Sequence, residues 1–193
     1  MTKYNSELHD KLWKAKSTAY KTGNVVLYRH ATLPECYDYV MECKDEFYDV
    51  LLDINLHIDN ANSYFEFCLE SDKRNYGPKD FSVVIDQDVF DFLLPIITAV
   101  HPKFCDTGNN LIPNFKWVEM TARFRSLSEN LKSSKLLEDI SYYIFSLSHV
   151  SSVEFIFLDF ERFCSQFSQY LDDLSAWIDE ALTKGENVWL MGL

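Results

Sequence analysis

The sequence predicts a mainly α protein, a multi-helix bundle with two long amphipathic helices over about 33–70 and 152–184. Three observations carry that expectation. The five glycines stand alone, at Gly23, Gly77, Gly108, Gly185 and Gly192, where they serve as stop signals rather than as a cluster. Apolar residues recur at steps of three and four through both long stretches. Each stretch opens on a capping box, Thr32-x-x-Glu35 and Ser151-x-x-Glu154, in which side chains satisfy the free amides of a first helical turn.

Element by element, residues 6–22 read as a helix, with Leu8, Leu12, Ala15 and Ala19 on one side and Gly23 as the stop. Its lysines gather toward the C-terminal half, where cations suit the helix dipole. The first long stripe then runs through Cys36, Val40, Cys43, Phe47, Val50, Ile54, Ile58, Ala61, Phe65 and Cys68. Asn55, Asp59, Asn60 and Asn62 mark a break point near 59–62. Residues 71–79, with Gly77-Pro78, form a loop. Asp86 caps a buried helix over 88–100, kinked at Pro95. A loop over 101–114 ends at Asn114, expected as the cap of a helix carrying Trp117, Met120, Phe124, Leu127 and Leu131, which Ser133 and Ser134 terminate. Leu137, Ile140, Ile144 and Leu147 carry another helix. The second long stripe runs from Val153 through Phe160, Cys164, Phe167, Leu171, Leu174 and Ile178 to Ala181, and Gly185 stops it. Residues 25–28, 81–85 and 188–191 are β candidates, either a small sheet at one end or extended loop segments. One domain over 1–193 is the expectation for this length.

Composition narrows function. Net charge is −12, with 47% hydrophobic and 16% aromatic residues. An acid surplus disfavours nucleic acid and anionic membrane, and favours a basic protein partner. Charge alternates along the chain: +4 over 1–30, −11 over 31–101, +3 over 102–135 and −8 over 136–193. Such blocks either pair within the fold or leave an acidic face exposed. Five cysteines without paired spacing suit reduced thiols. With no apolar leader and no apolar run of ~18 residues, the reading is a cytoplasmic protein.

Isolated glycines exclude a phosphate-cradling loop, which needs backbone approach without Cβ atoms in the way. No His-x-x-x-His, Glu-x-x-His, Cys-x-x-Cys or Gly-x-Ser-x-Gly occurs, so no metal, cofactor or nucleophile is expected. The stretch from Phe81 to Ile85 followed by Asp86-Gln87-Asp88 resembles the first motif of haloacid-dehalogenase-type phosphatases. That resemblance implies Asp86 as nucleophile, Asp88 as general acid, magnesium, and Asp172-Asp173 as the later acidic pair. The same residues also read as a helix N-cap and a first-turn acid.

The remaining constellation is acidic. Glu35, Asp38, Glu42, Asp45, Glu46, Asp49 and Asp53 fall within an arc of about 100° on an ideal helix. Tyr37, Met41 and Tyr48 flank it as candidate contact residues. The sequence therefore points to a non-enzymatic, inhibitory binding protein engaging a basic partner through this face. In size, acidity and lack of a catalytic motif it is similar to immunity proteins that neutralise toxin domains and to phage-encoded inhibitors of host defence. A phosphatase built on Asp86 and Asp88, or a subunit that oligomerises through its long helices, are the alternatives.

Overall fold

A computed structural model describes residues 42, 44–61, 63–70, 82–134 and 159–192. The expected helices over 6–22 and 137–147, the strand over 25–28 and the loop over 71–79 lie outside the described residues. So do the starts of both long helices. The protein is mainly α with a small antiparallel sheet.

Strands β1 (Tyr64–Leu69), β2 (Val83–Asp86), β3 (Asn109–Leu111) and β4 (Val188–Gly192) form that sheet in the order β2-β1-β4-β3. Every neighbouring pair is antiparallel, with Phe67 opposite Val83 on one side and Leu190 on the other. Strand β1 corrects the expectation of one helix over 33–70. The segment Tyr-Phe-Glu-Phe-Cys-Leu fits a helical stripe through Phe65 and Cys68, but it also alternates. Short apolar runs fit both periods, and aromatic enrichment decides for strand. Phe65 and Phe67 enter the core, where Phe65 stacks on Phe90 at 3.6 Å and Phe67 lies 5.6 Å from Trp117.

Upstream of β1 the helical path ends early. A π-helical turn over Phe47–Leu51 closes with the Leu52 amide donating to the Phe47 carbonyl at 3.2 Å. A single 3-10 turn follows at Ile58–Asn60. The expected break near 59–62 is thus part of a longer irregular connection.

Among the described residues, three helices pack on the sheet. Helix α1 (Gln87–Val100) follows β2 directly and continues through Pro95. Helix α2 (Asn114–Ser133) begins one residue after Pro113, which occupies the cap position. Asn114 is therefore the first helical residue and not the cap: the Pro113 carbonyl already accepts from the Lys116 and Trp117 amides, at 2.8 and 3.3 Å. Helix α3 (Phe160–Thr183) supplies the described part of the second long stripe. It ends with Gly185 at φ 77°, a conformation that glycine adopts without Cβ strain.

Helices α2 and α3 share one buried core, to which Phe124, Leu127 and Leu131 on one and Leu171, Leu174 and Ile178 on the other contribute, and polar contacts tie them further. The Ser128 hydroxyl donates to the Ser168 carbonyl at 3.1 Å in the buried seam. Lys132 pairs with Asp172 at 2.8 Å, and Arg125 pairs with Asp179. The basic block of the sequence here meets the acidic block that comes after it. The indole N–H of buried Trp117 donates to the Val188 carbonyl at 3.1 Å, tying α2 to β4. The buried Asn110 amide donates to the carbonyls of Cys105, Gly108 and Leu190, so one side chain shapes the loop that the sequence left unstructured. No helix of the described residues is long and apolar enough to cross a membrane.

Candidate binding site

The acidic segment splits into three parts. Glu35, Asp38 and Tyr37 lie outside the described residues. Glu42, Asp45, Glu46 and Asp49 are exposed on the helical path that ends in the π turn. Asp53 is exposed beyond that turn, so the ideal-helix arc does not extend to it. Its carboxylate instead accepts from the Asn55 amide at 2.9 Å, which fixes the chain direction at the start of the next loop.

Two of these acids are held internally. Arg162, on the first turn of α3, donates to Asp45 at 2.9 Å and to Asp49 at 2.5 Å. Its guanidinium also lies 4.7 Å from the Tyr48 ring centroid. Hydrogen bonds from Arg162 and then Gln166 hold the Asp49 carboxyl below its ordinary range. The same contacts with Asp49 and Asp45 push the Arg162 pKa up. Glu42 and Glu46 have no ion-pair partner among the described residues. Lys44 lies between them in sequence and is half-buried.

Tyr48 is corrected as a surface contact. It is 2% exposed, packs edge-on to Phe47, and donates its hydroxyl to the Asp159 carbonyl at 3.3 Å. Burial, reinforced by Asp159, drives its pKa well above the ordinary 10.0. Tertiary packing explains the discrepancy, because the start of α3 covers this side, with the Asp159 carbonyl and the Arg162 guanidinium against Tyr48.

A second feature begins one residue after Asp53 and is not legible in the sequence. A cleft of about 1070 Å³ opens between α3, the 54–58 loop and the ends of β1 and β2. Along α3 its wall is Asp173, Ala176, Trp177, Glu180, Ala181 and Lys184. These residues recur at steps of three and four, so they form one helical face. The opposite wall includes Ile54, Leu56 and His57, and the floor includes Leu69 and Val83. Lys184 is held by Glu180 at 2.6 Å, while Asp173 accepts from Gln169 at 2.8 Å. His57 caps the 3-10 turn by accepting from the Asp59 amide. The only sequence signal for this cleft was the second face of the 160–183 stripe. Its other walls come from distant segments.

The Asp-x-Asp motif occupies a different place. Asp86 is 3% exposed, ends β2, and accepts from the Asp88 amide at 2.9 Å as the N-cap of α1. The sheet beside it is antiparallel throughout. Asp172 and Asp173 sit mid-helix on α3, engaged with Lys132 and Gln169 respectively. Among the described residues, no three His, Cys, Asp or Glu side chains converge as metal ligands. Cys68 and Cys164 are buried, and burial pushes the Cys164 thiol up to about 11.

Comparison with protein-family models, with curated proteins and with solved structures finds no match for this chain.

Proposed function

We propose that this protein is a non-enzymatic binding protein, of the inhibitory kind, that engages a basic segment of a partner protein through its acidic face. The observation that supports it most is the contrast between acids that are neutralised within the fold and acids that are not. Asp172, Asp179 and Glu180 meet Lys132, Arg125 and Lys184. Arg162 engages Asp45 and Asp49. Glu42 and Glu46 stay exposed on the helical path, and Asp53 beyond its end, without such a cation among the described residues. Carboxylates three and four apart on a helix lie ~5–6 Å from one another, and like charges that close disfavour the free state. A cationic partner relieves that repulsion and is steered toward it. Blocking a basic surface in this way needs no reactive group.

The test is binding of a Lys-rich peptide of about a dozen residues, measured at low and high salt. The triple variant Glu42→Lys, Glu46→Lys, Asp53→Lys is compared with Asp106→Lys, Glu129→Lys, Glu186→Lys, which changes net charge equally. The proposal expects the first triple to lose about tenfold or more in affinity and most of the salt dependence, and the second to lose little. Equal losses in both triples would reduce the effect to overall charge and remove the proposal.

A further inference from the structure

We propose that the cleft on α3 receives a bulky apolar side chain carried by that same basic segment, so the ligand class is a cationic peptide with an aromatic or long aliphatic anchor. This rests on the acidic-face reading. Three features of the cleft support it. First, the wall is apolar where an anchor would enter: Trp177 is half-buried, and Ala176 and Ala181 are small enough to leave space beside it. Second, the rim carries surplus negative charge. Asp173 has no cation partner among the described residues, and Lys184 balances only Glu180. Third, the acidic segment runs into the cleft wall along the chain. Asp53 immediately precedes Ile54 in the cleft wall, and its bond to Asn55 sets the direction of that wall.

The open shape of the cleft suits a peptide side chain better than a metabolite that needs enclosure. Small-molecule pockets run from roughly 300 to 1,000 Å³ and enclose most of their ligand. At about 1070 Å³ this cleft lies at the upper end of that range, and it is open between a helix and a loop rather than enclosed. Interfaces gain most from a central aromatic or aliphatic anchor that excludes water, with charges around it setting orientation and encounter rate. Trp177 with the two alanines offers the seat for such an anchor, and Asp53 with Asp173 offers the charged border.

The experiment titrates the full-length protein with two Lys-rich peptides of about a dozen residues. One carries Phe and Leu anchors, and its twin carries Ser in their place. The anchored peptide is expected to bind about tenfold tighter or better. Ala176→Arg, at an exposed helical position, places a long charged side chain in the cleft and is expected to erase that preference while leaving salt-dependent binding. Trp177→Ala should do the same, and Ala176→Arg keeps the test valid if Trp177→Ala weakens folding. The triple Glu42→Lys, Glu46→Lys, Asp53→Lys should lower the affinity of both peptides and preserve their ratio.

Equal affinity for the two peptides, with salt dependence intact, overturns the cleft proposal and leaves the acidic-face reading standing. A retained anchor preference in a triple variant of unchanged affinity overturns the acidic-face reading instead. Binding of neither peptide removes both. A dimer seen by sedimentation that Ala176→Arg dissolves would make a second copy the occupant and overturn the proposal, as would a neutral aromatic compound that binds as tightly as the anchored peptide.

Discussion

Asp86 separates a catalytic from a structural account of the Asp-x-Asp motif, and two substitutions decide between them. The carboxylate is 3% exposed and accepts from the Asp88 amide at 2.9 Å. Removing an N-cap acceptor costs about 0.5–2 kcal/mol. At this burial water is poorly placed to replace the lost bond, so Asp86→Ala should fall in the upper half of that range, about 1–2 kcal/mol. Asp86→Asn keeps an acceptor oxygen in place and gives up the charge at the helix N-terminus, about 0.5 kcal/mol. In a chain of this length each kcal/mol shifts Tm by roughly 2–4 °C. Urea denaturation with an unchanged slope should rank wild type, Asn and then Ala, with Asn and Ala about 1 kcal/mol apart. Equal destabilisation by Asn and Ala would refute the capping argument. Magnesium-dependent hydrolysis of a generic phosphate ester, lost in Asp86→Asn, would transfer the residue to the chemistry that the phosphatase resemblance implies.

Two further outcomes come from the same geometry. A Cβ on Gly192 would lie 1.6 Å from the Asp106 carbonyl oxygen, whereas one on Gly185 meets nothing within 4 Å. Gly192→Ala should therefore cost about 3 kcal/mol or more through a backbone clash, and Gly185→Ala only about 1 kcal/mol through its positive φ; similar losses in thermal melts would contradict the contrast. Burial raises the pKa of both Tyr48 and Tyr170 in the folded protein above the ordinary 10.0. The folded state then holds those protons more tightly than the unfolded chain, so their contribution is full below about pH 10 and is lost as pH rises through and beyond it. Chemical denaturation across that window should show falling stability, and Tyr48→Phe should flatten the fall. An unchanged slope in Tyr48→Phe would count against the assignment.

Local chemistry in the sequence located several elements closely. Helix α3 was legible because Phe160, Cys164, Phe167, Leu171, Leu174 and Ile178 keep one period, and because glycine is favoured at the φ of 77° that Gly185 adopts. The strand–cap–helix succession through Val83, Asp86 and Val100 was readable because β-branched residues, an acceptor side chain and a longer apolar helix come in order. Residues 64–69 were not, since Phe65 and Cys68 satisfy a helical stripe while Phe65 and Phe67 satisfy a strand. The pairing of β1 with β2 and β4 settles the choice, and those partners lie far away in the chain. Strand β3 was missed for a related reason. Asn109-Asn110-Leu111 has no strand pattern of its own, and it is held by the Asn110 amide and by β4.

The candidate site divides along the same line. The chain alone determined that acids would concentrate between 35 and 53, because charge and spacing are properties of the sequence. Tertiary structure decided which of them remain available. It brought Arg162 onto Asp45 and Asp49, and buried Tyr48 beneath the start of α3. It also made the cleft, whose walls come from residues near 55, 70, 83 and 177. Periodicity encodes which face of an element is apolar; which distant element meets that face depends on the free energy of the whole packed chain, and a concave surface exists only after that packing is fixed.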